Sequence, residues 1–389
     1  MEKVAIIGAG QTKFGERWEY SLRDLMGEAG KKAVQDACIS GNEIEAVYGG
    51  TMSAGRMIGQ EHIGALIADS MGLDPIPSTR VENACASGGT ALREAYLAVA
   101  GGHYDLVVAG GVEKMTDIYT EQVSLALGGA ADQEWEVFFG ATFPALYALI
   151  AKRHMKEYGT TEEQLARVAV KNHHNGSLNP LAQFPFEVTV EKVMASSKVA
   201  EPLKLLDCSP ITDGAAAVIV ASEKVAKKFD TPIWINGSAQ ASDSLALHDR
   251  KDMCTLNASV VAGKKVFGQS GLKPKDIDLA EVHDCFTIAE ICAVEDIGFV
   301  KKGYGGKAMD EGMFDLNSDI SINPSGGLKA CGHPVGATGI KQAVEAVEQL
   351  RGETGKRQVD NAENALIHNV GGSGATCVTH VLSRTRGGQ

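Results

Sequence analysis

The sequence predicts an α/β protein built from two similar units, with an insertion inside the first unit. Its 389 residues are 44% hydrophobic and 22% charged, and a chain of this length usually fills more than one hydrophobic core. In each half a glycine-rich turn precedes an amphipathic helix, a buried strand and a Gly-Gly pair. This repeated order indicates a duplicated α/β unit. Mixed aromatic and polar residues over 117–206, before the first half ends, indicate the insertion.

The predicted strands are short apolar runs that end near glycines or polar residues. They cover residues 4–7, 46–49, 106–109 and 213–218 in the first half, and 279–282 and 365–367 in the second. The first run closes on Gly8-Ala9-Gly10, which we interpret as a turn. Position 13 is lysine, so the third glycine of a dinucleotide-binding fingerprint is missing and this motif predicts no cofactor site.

The predicted helices have apolar residues at i, i+3, i+4 and i+7. They cover residues 21–39, the segment just after Cys85, residues 145–158 and the segment opened by the turn at 332–339. These elements divide the chain into a first part over 1–116, an inserted loop domain over 117–206, the end of the first half over 207–228, and a second half over 229–389.

Charge and composition argue against several classes of function. The net charge is −12, which disfavours nucleic acid or an anionic membrane as a partner. The eight cysteines form no Cys-x-x-Cys pair and are expected to be reduced thiols. No stretch resembles a signal peptide or a membrane span, and the final Arg-Gly-Gly-Gln is not a peroxisomal signal. We therefore expect a cytoplasmic protein.

Cys85 is the first candidate for catalysis. It lies in the run Asn-Ala-Cys-Ala-Ser-Gly-Gly at 83–89, directly before a predicted helix. A helix N-terminus and glycine amides stabilise a thiolate, so we expect the pKa of this thiol to be lowered. The same amides are able to hold the oxyanion that forms when a thioester is attacked. The alternative is a small buried side chain, the commoner fate of a lone cysteine.

Two histidines are candidates for acid–base chemistry. His283 follows the predicted strand at 279–282, and His333 lies in the run Gly-His-Pro-Val-Gly-Ala-Thr-Gly. An imidazole held in a rigid turn can take a thiol proton and return it. Either residue alone is more often structural, but the presence of both in a chain with Cys85 favours catalysis.

A metal site is the competing interpretation of the same residues. His283, Cys285, Cys331 and His333 could supply a Cys₂His₂ zinc set. Their His-x-Cys and Cys-x-His spacings are tighter than the usual separations of about two to four residues. We therefore predict no metal and no bound cofactor. The adjacent histidines at 173 and 174, in the insertion, are expected to be solvated.

Three motifs together resemble the thiolase superfamily. They are Asn-Ala-Cys-Ala-Ser-Gly at 83–88, Gly-His-Pro-Val-Gly-Ala-Thr-Gly at 332–339 and Asn-Val-Gly-Gly-Ser-Gly at 369–374, in the family's order along essentially the whole chain. The resemblance implies a duplicated βαβαβαββ unit in a five-layer α-β-α-β-α sandwich with an inserted loop domain. It also implies a homodimer or tetramer.

The resemblance also assigns roles to individual residues. Cys85 would be the acyl-accepting nucleophile, activated by His333. Many thiolases carry Asn-Glu-Ala-Phe where this chain has His-Asp-Cys-Phe at 283–286, a departure similar to sterol-carrier-protein thiolases and archaeal acetoacetyl-CoA thiolases. His283 would then share with His333 the oxyanion hole for an enolate. Backbone amides near Cys85 and Val370 would form a second oxyanion hole.

The second acid–base residue is left open by another departure from the family pattern. Many thiolases place a general-base cysteine just before the terminal glycines, where this chain has His368 followed by Asn369. We rank Cys331 first for this role, His368 second and Cys285 third. A desolvated thiolate suits the weakly acidic α-carbon of a thioester.

The implied reaction is a Claisen condensation of two acetyl-CoA molecules through acetyl-Cys85. Free CoA would leave after protonation through His333, and the product acetoacetyl-CoA would feed the mevalonate pathway. The alternatives are a degradative 3-ketoacyl-CoA thiolase for longer chains, a β-ketoacyl carrier-protein synthase, and a non-catalytic thiolase-fold subunit. The archaeal enzymes further imply a complex with a hydroxymethylglutaryl-CoA synthase and a small OB-fold zinc protein.

Overall fold

The computed structural model describes residues 2–73 and 75–387. Strands β1 to β12 run over Val4–Gln11, Ala46–Gly50, Ser78–Val81, Leu106–Glu113, Lys198–Ala200, Leu203–Lys204, Gly214–Ser222, Ile233–Ser242, Leu279–Glu281, Ser321–Ile322, Asn364–Gly371 and Thr376–Ser383. Helices α1 to α14 run over Leu22–Asp36, Ala54–Met57, Ile63–Ser70, Ser87–Ala100, Thr120–Gly128, Phe143–Tyr158, Glu162–Ser177, Val190–Ala195, Glu223–Ala226, Asn257–Ser270, Thr287–Asp296, Gly305–Asp310, Gly327–Cys331 and Thr338–Arg351.

The large sheet consists of two copies of one strand pattern. Its order is β10-β9-β11-β12-β8-β1-β7-β4-β2-β3. In the first half β3, β2 and β4 are parallel, and β7 and β1 continue antiparallel. The second half repeats this with β10, β9 and β11 parallel, then β12 and β8 antiparallel. A short ladder, Ala5 opposite Trp234 and Ile6 opposite Ile233, joins the copies. The predicted duplication is confirmed.

The two halves pack against a shared layer of helices. One buried cluster unites Leu92 and Val99 of α4, Ile340 and Val347 of α14, and strand residues of both halves. Helices α1 and α3 cover the outer face of the first half, and α10 and α11 cover that of the second. The layers therefore follow the order α-β-α-β-α, which confirms the predicted five-layer sandwich.

Coverage on both faces explains why the strands are continuous apolar runs in the sequence. In β4, Val107 and Ala109 point to the central helices, while Leu106 and Val108 point to the outer ones. Successive strand residues alternate between faces, and here both faces are dry. Each fully buried aliphatic side chain contributes about 1.5–3 kcal/mol to stability.

The interpretation of Gly8-Ala9-Gly10 as a turn is wrong. Strand β1 continues through these residues to Gln11. A Cβ on Gly8 would lie 2.4 Å from the Ala33 carbonyl oxygen of α1, so glycine at this position lets α1 pack directly on the strand. The strands predicted to end before the later Gly-Gly pairs also continue into them, as β4 and β11 show.

Residues 114–213 separate β4 from β7 and include the predicted insertion over 117–206. It contains α5 to α8 and the antiparallel β5–β6 pair. Helix α6 follows the predicted helix at 145–158 closely. Within residues 2–73 and 75–387, none of the helices combines the length and hydropathy needed to cross a bilayer.

The prediction that both histidines of the insertion are solvated is wrong for His173 and right for His174. The His173 ring is buried, with Nδ1 3.0 Å from the Phe186 carbonyl oxygen and the ring beside Phe184 and Phe186. His174 is exposed. Consecutive helical residues point in different directions, so one ring faces the core and its neighbour faces water. Desolvation lowers the pKa of His173 to about 4.

We expect His173 to make the protein less stable as the pH falls. Its folded pKa of about 4 lies below the unfolded value of about 6.5, so the unfolded chain binds the proton first. The stability it contributes is therefore present above about pH 6.5 and is lost as the pH falls toward its folded pKa. His173→Asn should remove about one proton from those taken up on unfolding in this window, measured by urea denaturation at several pH values.

The matched control for this experiment is His174→Asn, which changes the exposed neighbour on the same helix. Solvent reaches the His174 ring in the folded protein, so this variant removes an imidazole from the same helix without removing a buried one. Equal pH dependence for the parent and His173→Asn would contradict the prediction.

Candidate active site

Cys85 lies in a tight turn between β3 and α4. Ala84 has φ of 51°, a left-handed conformation that is costly for a residue with a side chain. Ser87 Oγ accepts a hydrogen bond from Asn83 N at 2.9 Å and donates one to Ala84 O at 2.6 Å. These bonds hold the turn, and Cys85 lines a cavity of about 360 Å³.

Burial controls the ionisation of Cys85. Desolvation raises the pKa of Cys85 to about 12, although the backbone N–H groups of Gly372 and Cys85 face the sulfur and oppose the shift. The lowered pKa expected from the sequence is therefore not found. Helix α4 begins only at Ser87, and loss of hydration outweighs its dipole. The thiol needs a proton acceptor at the moment of attack.

His333 provides a nitrogen suited to that proton. Its Nδ1 lies 2.7 Å from Thr338 Oγ1, and this hydroxyl donates its own hydrogen to Pro334 O at 3.1 Å. The His333 Nδ1 must therefore donate, which leaves a lone pair on Nε2. Desolvation lowers the pKa of His333 to about 3, so the ring is neutral and able to accept a proton.

A buried carboxylate fixes the turn that carries His333. Glu113, at the end of β4, accepts hydrogen bonds from Gly336 N at 3.1 Å, Met52 N at 2.8 Å and Thr51 Oγ1 at 3.1 Å. Charge-assisted bonds of this kind are stronger than neutral ones. Glu113 thus ties the His333 turn of the second half to the first half.

His283 completes a trio with Cys85 and His333. The two imidazole rings are nearly perpendicular, with centroids 5.0 Å apart. One ring nitrogen of each histidine and the Cys85 sulfur lie within 4.8 Å of one another. Desolvation lowers the pKa of His283. Its Nε2 is buried and has no hydrogen-bond partner in the part of the chain that the structure describes.

The metal set considered from the sequence is not assembled. Cys331 packs with Phe14, Ala182 and Ala337 in a buried cluster of its own. Among residues 2–73 and 75–387, the residues whose positions could accommodate a metal are instead Cys85, His283 and His333. Sulfur and imidazole are zinc ligands. A histidine binds a metal only if the ring nitrogen that faces the metal carries a lone pair rather than a proton.

Cys331 and His368, the first and second choices for the other acid–base residue, lie outside the cavity. Cys331 does not belong to the cavity lining found among residues 2–73 and 75–387, and desolvation raises the pKa of Cys331 to about 11. Both ring nitrogens of His368 are engaged, Nε2 at 2.8 Å from Ser259 Oγ and Nδ1 as acceptor of the His283 N–H at 3.4 Å. Neither side chain is among the described residues that line the cavity.

Cys285, ranked third, lines the same cavity as Cys85 and His333. Desolvation raises the pKa of Cys285, and a hydrogen bond with the Tyr147 hydroxyl opposes the rise. A thiol that is protonated at rest and lies beside a hydroxyl able to turn toward its anion is suited to both giving and taking a proton. The geometry therefore favours Cys285 over the other two candidates.

Val370 lies in β11, in the segment where the resemblance places an oxyanion-hole amide. It pairs with Cys377 across the β11–β12 ladder and packs against Ala258 and Ala262 of α10. The amide of this segment that faces the Cys85 sulfur belongs to Gly372.

Two residues of the site are missing from the sequence prediction. Tyr147 of α6 lines the cavity, and its hydroxyl donates to Gly372 O at 3.1 Å. Asn369 of β11 donates to Cys85 O at 3.0 Å and accepts from Gly89 N at 3.0 Å. Asn369 belongs to the motif at 369–374, so the sequence could have indicated that it is part of the site. Nothing in the sequence shows which face of α6 meets the cavity.

Comparisons with known proteins agree with this architecture. The thiolase N-terminal domain family matches residues 4–224, and the thiolase C-terminal domain-like family matches residues 239–384. An acetyl-CoA acetyltransferase of Methanothermobacter thermautotrophicus is 58% identical over 99% of this chain and 100% of its own length. Sterol carrier protein 2 of Bos taurus is 37% identical over 97% of this chain and 72% of its own length.

A solved structure described as an Ltp2-ChsH2(DUF35) aldolase superposes with a TM-score of 0.85 at 27% identity, covering 98% of each chain. The family matches span most of both halves, and the relatives align along nearly the whole chain. The chain belongs to the thiolase family.

Proposed function

We propose that this protein is an acetyl-CoA acetyltransferase that joins two acetyl-CoA molecules into acetoacetyl-CoA through acetyl-Cys85. The observation that carries the proposal is the assembly of Cys85, His283 and His333 within 4.8 Å beside a cavity. The archaeal relative named acetyl-CoA acetyltransferase supports the choice of acyl group. A non-catalytic subunit would have no use for this arrangement.

In the first half-reaction, the Cys85 thiol gives its proton to His333 Nε2 as the sulfur attacks the thioester carbon. The N–H groups of Cys85 and Gly372 hold the resulting oxyanion. When the bond to the CoA sulfur breaks, the Cys285 thiol protonates the departing thiolate. The enzyme is then acetylated, with Cys285 as a thiolate and His333 as an imidazolium.

This proton route differs from the expectation that His333 passes its proton to CoA. It has the consequence that release of CoA generates the base required next, because the Cys285 thiol has become a thiolate. The opposite charges on Cys285 and His333 attract each other strongly in a dry cavity. The Tyr147 hydroxyl, which donates to Gly372 O at rest, would turn to donate to the Cys285 thiolate.

In the second half-reaction, the Cys285 thiolate removes an α-proton from another acetyl-CoA. His283 and His333 donate to the enolate oxygen, and the enolate carbon attacks the acetyl group on Cys85. Collapse of this intermediate releases the Cys85 sulfur, which takes back the proton held by His333. Every group returns to its starting state, and acetoacetyl-CoA leaves.

A longer-chain substrate is the second candidate. Most of the cavity lining is apolar, including Val123, Leu127 and Phe143 from the insertion, and such a surface is compatible with an acyl chain longer than acetyl. The comparison that separates the two is the ratio of kcat/KM for acetoacetyl-CoA and for longer 3-ketoacyl-CoA in thiolysis.

We also propose that the protein acts as a homodimer or tetramer in a complex with a hydroxymethylglutaryl-CoA synthase and a small OB-fold zinc protein. Support comes from the similar aldolase, whose description names a DUF35 protein. The insertion also exposes large aromatics, Trp135 at 65%, Phe138 at 80% and Phe139 at 72%. Clustered exposed aromatics are typical of protein interaction sites. In such a complex the product would be consumed toward mevalonate.

Incubation with acetyl-CoA followed by acid quench should add one acetyl group to the peptide that contains Cys85. Peptide mass spectrometry detects the added mass, and Cys85→Ala is the control that should carry none. The reason is that the thioester on Cys85 is stable once CoA has left. A folded protein that gains no acetyl group would contradict the proposal that acetyl-CoA is the acyl donor. If longer acyl-CoA also failed to acylate Cys85, the proposal that the protein is an enzyme would be contradicted.

Replacing Cys285 should separate the two half-reactions. In Cys285→Ala, acetyl-Cys85 should still form, because His333 remains to take the thiol proton and to pass it to the departing CoA sulfur. Condensation should fall by about 10²- to 10⁴-fold, the usual contribution of a general base. Solvent-deuterium exchange into acetyl-CoA measures the α-proton step directly.

The matched control is Cys331→Ala, which removes a buried thiol outside the cavity. It should keep exchange and condensation near the parent rate. If Cys331→Ala lost exchange while Cys285→Ala kept it, the role would return to Cys331.

The double variant Phe138→Ser with Phe139→Ser should weaken binding of the purified OB-fold zinc protein without changing acetylation of Cys85. The physical reason is the loss of apolar area at the exposed end of the insertion. Isothermal titration calorimetry gives the affinity. Trp18→Ser, which removes an aromatic exposed at 69% outside the insertion, is the control, and equal affinities for all variants would contradict the proposed site.

A further inference from the structure

We propose that Asn369 is a positioning residue that fixes the His283 proton on Nε2, so that His283 acts as a hydrogen-bond donor while His333 acts as the proton acceptor. The consequence for catalysis rests on the proposed condensation. The proton positions themselves follow from contacts in the protein alone.

The orientation of the Asn369 side-chain amide is determined by two backbone groups. Its Oδ1 accepts from Gly89 N at 3.0 Å, and its Nδ2 donates to Cys85 O at 3.0 Å. A flipped amide would set its NH₂ against the Gly89 N–H and its oxygen against the Cys85 carbonyl. Backbone groups cannot exchange these roles, so Nδ2 faces the Cys85 side.

The second proton of Asn369 Nδ2 is left for His283. The distance from Nδ2 to His283 Nδ1 is 3.3 Å. An amide nitrogen only donates, so Nδ1 of His283 is an acceptor and the proton of the neutral ring lies on Nε2. Burial of both residues makes the alternative costly, because it would leave two N–H groups facing each other without an acceptor.

The surroundings hold the main chain of His283 as well. Its backbone N–H donates to His368 Nδ1 at 3.4 Å, and His368 Nε2 then donates to Ser259 Oγ at 2.8 Å. The main chain that carries the His283 ring is therefore held in place. Its Nε2, without a partner among residues 2–73 and 75–387, is available to donate to a substrate oxygen.

His333 is held in the opposite state. Thr338 Oγ1 accepts from His333 Nδ1 and passes its own hydrogen to Pro334 O, so Nε2 of His333 carries the lone pair. The rings stand nearly perpendicular, 5.0 Å apart, with opposite hydrogen-bonding functions. His333 is thus ready to take the Cys85 proton, whereas His283 is already a donor for the enolate oxygen before any proton moves.

Asn369→Asp tests the inference with little change in shape. A carboxylate accepts where the amide donates, so it should draw the His283 proton to Nδ1 and leave the lone pair on Nε2. Nitrogen-15 NMR of protein labelled at histidine should show His283 protonated at Nε2 in the parent and at Nδ1 in the variant. Condensation should fall by about 10²- to 10³-fold, as for loss of one oxyanion donor, while acetylation of Cys85 continues.

Cobalt(II) binding gives a readout that a merely structural role would not produce. In Asn369→Asp, the Cys85 sulfur and Nε2 of both histidines all present lone pairs to one point, and the new carboxylate supports His283 from behind. Carboxylates behind ligating histidines usually raise metal affinity about 10- to 100-fold. The variant should bind cobalt(II) at least tenfold more tightly than the parent, with a thiolate-to-cobalt absorption band. Adding Cys85→Ala should remove the band.

A second variant covers the case in which Asn369→Asp does not fold. Thr338→Val removes the acceptor of the His333 Nδ1 proton, so it should slow acetylation while leaving His283 protonated at Nε2. His283 protonated at Nδ1 in the parent would overturn the inference, as would an unchanged tautomer in folded Asn369→Asp. A parent protein that is never acetylated would instead refute the proposed function and leave the NMR result to decide on Asn369.

Discussion

The active site depends on how closely the two halves of the chain meet. A Cβ on Gly339 would lie 2.1 Å from Gly89 N, and one on Gly111 would lie 2.3 Å from Gly336 O. Such distances leave no room for a side chain, so the opening turns of α4 and α14 pack backbone against backbone. This contact brings Cys85, at the start of one central helix, beside the histidines of the other half. Looser packing would separate the nucleophile from its base.

The same close packing makes the site dry, and dryness sets its resting charge. Desolvation raises the pKa of Cys85 to about 12 and lowers that of His333 to about 3, so both groups are neutral before substrate binds. Charges then have to be created in pairs, by transfer of a proton from one group to another. In a low dielectric such a pair is held together strongly. The reaction can therefore proceed without leaving an isolated ion in the interior.

The sequence predicts the layers and the reacting trio, but not the groups around them. Glycine-rich turns identify Cys85 and His333, because each residue lies only a few positions before a predicted helix. Such a short-range pattern can be recognised in the sequence. The sequence ranks Cys331 above Cys285, although both stand near a key histidine, because distance along the chain does not reveal which side chain meets the cavity. Tyr147 is out of reach for the same reason: its position depends on how the insertion folds over the site. Desolvation also depends on tertiary packing, so the direction of the Cys85 pKa shift could not be predicted from its turn.

The duplication gives the site two equivalent contacts between the halves, here called joints. The side chain at the first joint accepts hydrogen bonds, and the side chain at the second donates them to its partners near the site. Near the end of β4, Glu113 accepts an N–H from the segment after β2 and one from Gly336 in the other half. Near the end of β11, Asn369 donates toward His283 in the segment after β9 and to the Cys85 carbonyl in the other half. A carboxylate suits the first joint because the groups there are donors. An amide suits the second because the His283 ring nitrogen and the Cys85 carbonyl both accept a hydrogen bond. For this reason the second contact can determine which nitrogen of a catalytic histidine carries the proton.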